Sequence, residues 1–194
     1  MKTVLKLIIG LFSVVVFNPA FSQTDKQAAE QKAWNEYMTP GAVHQMLAKS
    51  NGEWNEEMTM WMEPGAEPVK STATAVNKMI LGGRYQQSTH TGTVMGSPFE
   101  GIAITGYDNA KKILVSTWID NMGTGIMYSE GKWNDATKSA EFTGTAIDPV
   151  SGKELKIRQI MKTIDDNTEM MEMYTTRDGK EFKSMEIKMT RKTK

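Results

Sequence analysis

There is no cysteine anywhere in the 194 residues. That excludes disulfides, thiolate metal sites, cysteine nucleophiles and a lipid anchor on cysteine. An excess of one charge is missing too, because 23 Lys and Arg balance 23 Asp and Glu, scattered without long like-charge blocks. Such a chain has no basic stripe to displace counterions from phosphate, so no nucleic-acid partner is expected. Histidine is reduced to His44 and His90. A zinc site would therefore lean on carboxylates, and neither a metal nor any other cofactor is expected. No glycine-rich loop leads into a helix, and no nucleophile-elbow spacing occurs, which leaves phosphate cradling and serine-type catalysis without support.

Only one long apolar run is present, from Leu7 to Phe17. Lys2 and Lys6 precede it, Pro19 breaks it, and Ala20 and Ser22 stand at the small-residue positions before a cleavage point at Gln23. At 11 residues the run is shorter than the roughly 20 that span a bilayer. Residues 1–22 read as a signal peptide, which makes the mature chain an exported soluble protein, periplasmic or secreted, with no membrane anchor. Its removal leaves 21 basic and 23 acidic side chains, a net charge of −2 that points to no anionic partner.

Residues 23–39 are polar, with Ala28, Ala29, Ala33, Trp34 and Tyr37 as scattered anchors, and read as a loose helix or a tether. Thr39-Pro40 looks like a capping hydroxyl with proline at the first helical position. Val43, Met46 and Leu47 then repeat at helical spacing up to Asn51-Gly52, giving a short amphipathic helix. From Gly52 the pattern turns to period two. Strands are expected near 53–62, 69–81, 84–95, 99–107, 112–120, 125–133, 139–148, 154–164, 168–176 and 181–191. Turn residues separate them, among them Gly82-Gly83, Gly96-Ser97-Pro98, Asp108-Asn109 and Asp178-Gly179. No separator can hold a crossover helix, so neighbouring strands pair antiparallel as a meander. Ten twisted strands leave two open edges unless the sheet closes. An all-β, up-and-down barrel over 40–194 is the preferred architecture, and an open two-sheet sandwich is the alternative. A barrel of this size has room for a small molecule.

These segments carry a family resemblance. Pro40 to Leu47 followed by Gly52-Glu53-Trp54, Trp61-Met62-Glu63-Pro64-Gly65, Gly82-Gly83-Arg84-Tyr85, Gly106-Tyr107-Asp108-Asn109 and Ser116 to Gly125 resemble the domain-of-unknown-function-1579 family over about residues 40–190. The resemblance implies a calycin-like barrel and no established activity. Gly52-Glu53-Trp54 is also similar to the Gly-x-Trp opening of lipocalins, which implies that the Trp54 indole seals the barrel floor. A buried indole needs an acceptor for its N–H.

Methionine is the compositional oddity. After residue 22 there are 15 methionines and four leucines. Met58, Met60 and Met62 alternate on one strand, as do Met171 with Met173 and Met185 with Met189. Thioether rows in an exported chain raise copper(I), but with leucine so scarce they read first as core filler, or as the adaptable wall of a cavity for apolar ligands. His44 reads as a capping or packing residue of the short helix. His90 shares a face with Arg84, Gln86 and Ser88, and an outward polar row is the preferred reading of that strand. Directed inward, His90 would orient a ligand, or serve as an axial haem ligand as in the similar nitrobindins, whose glycine-rich Trp motif is not found here. Asp120 shares the face of Trp118 and reads as the residue that starts the following turn.

The ligand-facing set expected from these residues is Trp54, Met58, Met60, Arg84, His90, Trp118 and Tyr128. Met and Trp supply apolar area, Arg84 and His90 orient a polar end such as a carboxylate, and Tyr128 donates a hydrogen bond. The function expected is binding of a small apolar or amphipathic molecule inside the barrel of a monomer or weak dimer. The alternatives are a hydrolase using a carboxylate pair, which any acidic content permits, and a structural barrel packed solid. Trp54→Ala is expected to destabilise the fold, and His90→Ala to weaken binding without unfolding.

Overall fold

The structure, a computed structural model, describes residues 20–193, with side chains from Thr24. Residues 1–19, and with them most of the expected signal peptide, lie outside the described residues. Among the described residues no helix is long and apolar enough to cross a membrane.

The polar segment forms helix α1 (Ala20–Met38). It has no apolar stripe to bury, and its described side chains are exposed. Its helicity rests on alanines, on the spaced pairs Lys26–Glu30 and Lys32–Glu36, and on a Gln31–Asn35 hydrogen bond. Helix α2 (Ala42–Ala48) starts later than Thr39-Pro40 suggested. Gly41 is the N-cap: its carbonyl accepts from the Gln45 N–H at 3.1 Å, and its own N–H donates to His44 Nδ1 at 3.0 Å. The His44 imidazole thus takes up a donor that helix termini leave free. Its ring is buried and meets Tyr107 edge-on at 5.9 Å. Burial, the largest influence on it, holds the imidazole below its ordinary pKa.

The ten strands follow the expected pattern within two or three residues: β1 (Gly52–Met60), β2 (Val69–Ile80), β3 (Tyr85–Val94), β4 (Ser97–Asp108), β5 (Ile113–Asp120), β6 (Met127–Asn134), β7 (Ser139–Ile147), β8 (Glu154–Asp165), β9 (Thr168–Arg177) and β10 (Lys180–Arg191). Each pairs antiparallel with its neighbours, and β1 pairs β10, with Trp54 opposite Arg191 and Met58 opposite Ile187. Both edges are therefore removed by closure, and the sandwich alternative falls away. This is the closed barrel that the calycin resemblance implied.

Two apolar clusters fill it unevenly. Trp54, Met58, Met60, Val94, Ile187 and Met189 pack around Ala73 and Ala75 on the β10–β1–β2–β3 side. Leu114, Ala140 and Phe142 pack with Val43 and Leu47 of α2. Methionine here does the work of leucine, filling irregular space between strands. Met62 departs from the expected row: β1 ends at Met60, and Met62 is exposed beyond it.

The α2 end is tied together by Arg191. Its guanidinium donates to the carbonyls of Asp166, Asn51 and Lys49 at 2.6–2.9 Å and lies 4.2 Å over the Trp54 ring. Beside it Glu169, which accepts a hydrogen bond from the Ser50 hydroxyl, is held above the usual carboxylate range chiefly by burial. A carboxyl raised in the fold favours its neutral form there, so its contribution is full below the ordinary carboxylate range and is lost as pH rises through the folded value. Glu169→Gln keeps an acceptor for Ser50 and never ionises. Its Tm is expected to match the native protein's near pH 3.5 and to exceed it increasingly towards pH 7, as read by thermal melts across that range. A native advantage that grows with pH would contradict this.

Candidate functional site

Register decides which side chains meet inside. On β1 the alternation buries Trp54, Glu56, Met58 and Met60, so a carboxylate sits within an apolar row, only 2% exposed. A buried charge needs a partner, and β3 supplies it. His90 Nδ1 lies 3.0 and 3.1 Å from the two oxygens of Glu56. The residues between them in the register are Ala73, Ala75 and Gly92, whose small side chains leave the pair room to meet. A Cβ on Gly92 would lie 2.7 Å from that of Ala73 and 2.8 Å from the Thr72 carbonyl oxygen.

The imidazole also meets Trp118 of β5, ring centres 5.2 Å apart and edge-on. Phe99 of β4 stacks on that indole, ring centres 6.2 Å apart. Trp118 Nε1 donates to Asp120 Oδ2 at 2.6 Å, while Asp120 Oδ1 accepts the N–H groups of Met122 and Gly123 at 2.9 and 3.1 Å. Asp120 therefore starts the turn, as expected, and also fixes the indole. Gly101, opposite both His90 and Asp120 in the register, lets the Trp118 ring lie against the backbone. A Cβ there would stand 2.4 Å from the ring. Gly101→Ala is accordingly expected to displace the indole, lower stability by about 1–3 kcal/mol and shift the tryptophan emission. Unchanged emission together with unchanged stability would contradict the placement.

The structure turns five of the seven residues expected to face a ligand towards the interior. His90 points inward with Gln86 and Ser88, which corrects the outward reading of that row. Gln86 is buried and donates to the Leu47 carbonyl at 2.6 Å. Trp54, Met58 and Met60 are core, and the Trp54 N–H finds the Ser50 carbonyl at 2.9 Å. Trp118 lines the interior. Arg84 does not: it precedes β3, is exposed, and donates to the carbonyls of Leu81 and Met38 at 3.2 and 2.7 Å. Tyr128 is also outside, its hydroxyl donating to Glu130 at 2.8 Å, because the inward positions of β6 are the buried Ser129 and Gly131. Glu56 is the residue missed. Period two had placed it between Trp54 and Met58, on their face.

The interior is packed on one side and open on the other. Inward positions of β1 and β2 from Trp54 to Met60 and Ala73 to Asn77 are buried. Across the barrel, Ala103, Thr105, Ser116, Trp118, Gln159 and Met173 also face inward yet remain partly exposed, and Met161 is 37% exposed. Solvent therefore reaches the interior at these side chains of β4, β5, β8 and β9. At the end of the barrel away from α2, the loops beside these strands carry exposed Met122, Ile126 and Val150. Among the described residues no three His, Asp or Glu side chains gather as a metal set.

Residues 39–191 match the family described as "Protein of unknown function (DUF1579)". No curated protein matches the chain. Among solved structures it is similar to the crystal structure of Rv2717c from M. tuberculosis, with 11% identity and a TM-score of 0.55 over 80% of this chain and 100% of that one. At that identity the likeness concerns the fold alone.

Proposed function

Because the chain belongs to DUF1579, a family whose description assigns no activity, we propose its function from its own geometry: it binds a small amphipathic molecule inside the barrel. The observation that carries this reading is the unevenly filled interior, in which inward side chains such as Met161, Gln159 and Trp118 stay open to solvent. A barrel built only for support would bury them, since interiors normally pack to crystal density. The Met, Phe and Trp side chains around that space offer adaptable apolar area. Glu56, His90 and Asp120 give it one polar pole. The exposed Met122, Ile126 and Val150 suit entry of an apolar body at that end. A hydrolase built on a carboxylate pair has less support, because Glu56 is committed to His90 and Asp120 to Trp118 and two backbone N–H groups.

The reading extends to place. Residues 1–22 carry the charge, apolar run and small-residue pattern of a signal peptide, so the binder acts outside the cytoplasm as a monomer or weak dimer. Native mass spectrometry of the protein purified from its own host, followed by organic extraction, tests both parts. A chain starting at Gln23 with a stoichiometric extractable passenger is the expected result. An empty chain that also shows no melting shift across a panel of amphipathic molecules would overturn the binding reading.

A further inference from the structure

We infer that the polar pole of the interior selects a hydrogen-bond-donating, cationic head group, an alkylamine or alkylammonium, in preference to a carboxylate. The inference rests on the interior-binding reading above and names the ligand class for that same site. Four observations lead to it. The inward-facing charged groups of this region are two carboxylates, Glu56 on β1 and Asp120 on β5, against one base, His90. The arginines that would counter a carboxylate ligand are engaged elsewhere: Arg84 holds backbone carbonyls outside the strand, and Arg191 holds three carbonyls at the α2 end against Trp54.

The third observation is the direction of the imidazole. With Nδ1–H donated to Glu56, the neutral ring leaves the Nε2 lone pair, for which no hydrogen-bond partner occurs among the described residues. That atom accepts from an N–H or O–H. Fourth, Trp118 and Phe99 stack beside the imidazole, and the face of an aromatic ring attracts an ammonium. Asn77, on the inward face of β2, also buries an Oδ1 with no partner, a further acceptor on this wall.

Three ligands of equal chain length separate head from tail: decylamine, decanol and decanoate, titrated into the mature protein at neutral pH by calorimetry. Decylamine is expected to bind at least about tenfold tighter than decanoate, with decanol between them. Glu56→Gln keeps an acceptor for His90 Nδ1–H while removing the charge, so it is expected to shrink that ratio severalfold, with the loss falling on decylamine. Decanoate binding as tightly as decylamine would overturn the head-group inference and leave the interior-binding reading standing. The same holds for a ratio that Glu56→Gln leaves intact. No binding of any of the three would overturn the interior-binding reading and this inference with it.

Discussion

Trp54→Ala is expected to lower the unfolding free energy by about 3–5 kcal/mol, the range for removing a fully buried large aromatic. Trp54 is 0% exposed and sits where three parts of the chain converge. Its ring packs with Ala75 and Met189 across the closure of the barrel, its N–H donates to the Ser50 carbonyl at 2.9 Å, and the Arg191 guanidinium covers it at 4.2 Å. The truncation leaves a cavity that three short hairpin ends cannot collapse to fill, and it strips Arg191 of its aromatic platform. For a domain of this size the loss corresponds to a Tm lower by roughly 6–20 °C. Urea unfolding of the two proteins measures it directly. A loss under about 1 kcal/mol would mean that Trp54 is not the floor of this barrel.

Much of this architecture is legible in the residues. Period-two alternation and turn residues at about ten-residue intervals mark ten strands, and the missing crossovers force an antiparallel meander. Closure follows from the cost of open edges. The site is less legible because a barrel interior that is partly open obeys a weaker rule than a packed core. The Gln86, Ser88 and His90 row is polar and so reads as an outer face, yet it faces in, where Gly101, Ala103 and Thr105 of β4 lie opposite. Tyr128 shows the converse. Its bulk suggests an inner wall, but on β6 the inner places go to Ser129 and to Gly131, where a Cβ would stand 2.7 Å from the Phe142 ring. Arg84 has the right parity for the inward face and fails because β3 begins one residue later.

Glu56 is the most instructive case. Trp54, Met58 and Met60 identify the buried face of β1, and the acid between them must then be buried as well. Only a partner could make that tolerable, and with His44 committed to α2, His90 is the remaining imidazole. Alternation was sufficient to find the residue. Selecting apolar members of the row by type alone passed over it.

The pairing also changes what His90→Ala should do. Sequence alone suggested weaker binding with the fold intact. In the structure the substitution strands a carboxylate that is 2% exposed, and breaking a buried pair in this way costs about 3–5 kcal/mol. Glu56→Leu should cost less, about 1–2 kcal/mol, because a neutral imidazole bordering the open space retains access to water. The double variant His90→Ala with Glu56→Leu removes both polar groups at once, and buried pairs replaced by apolar side chains are often near neutral. It is expected to unfold within about 1 kcal/mol of Glu56→Leu, so the second substitution rescues most of the damage done by the first. Urea unfolding of the four proteins closes the cycle, and a coupling of about 3–5 kcal/mol, the cost of the stranded carboxylate, is the expected result. Strict additivity would mean that the Glu56 carboxylate and the His90 imidazole do not share a buried hydrogen bond. The double variant has a further use, since a folded barrel without Glu56 and His90 should still take up decanol while its preference for decylamine over decanoate shrinks to what Asp120 alone sustains.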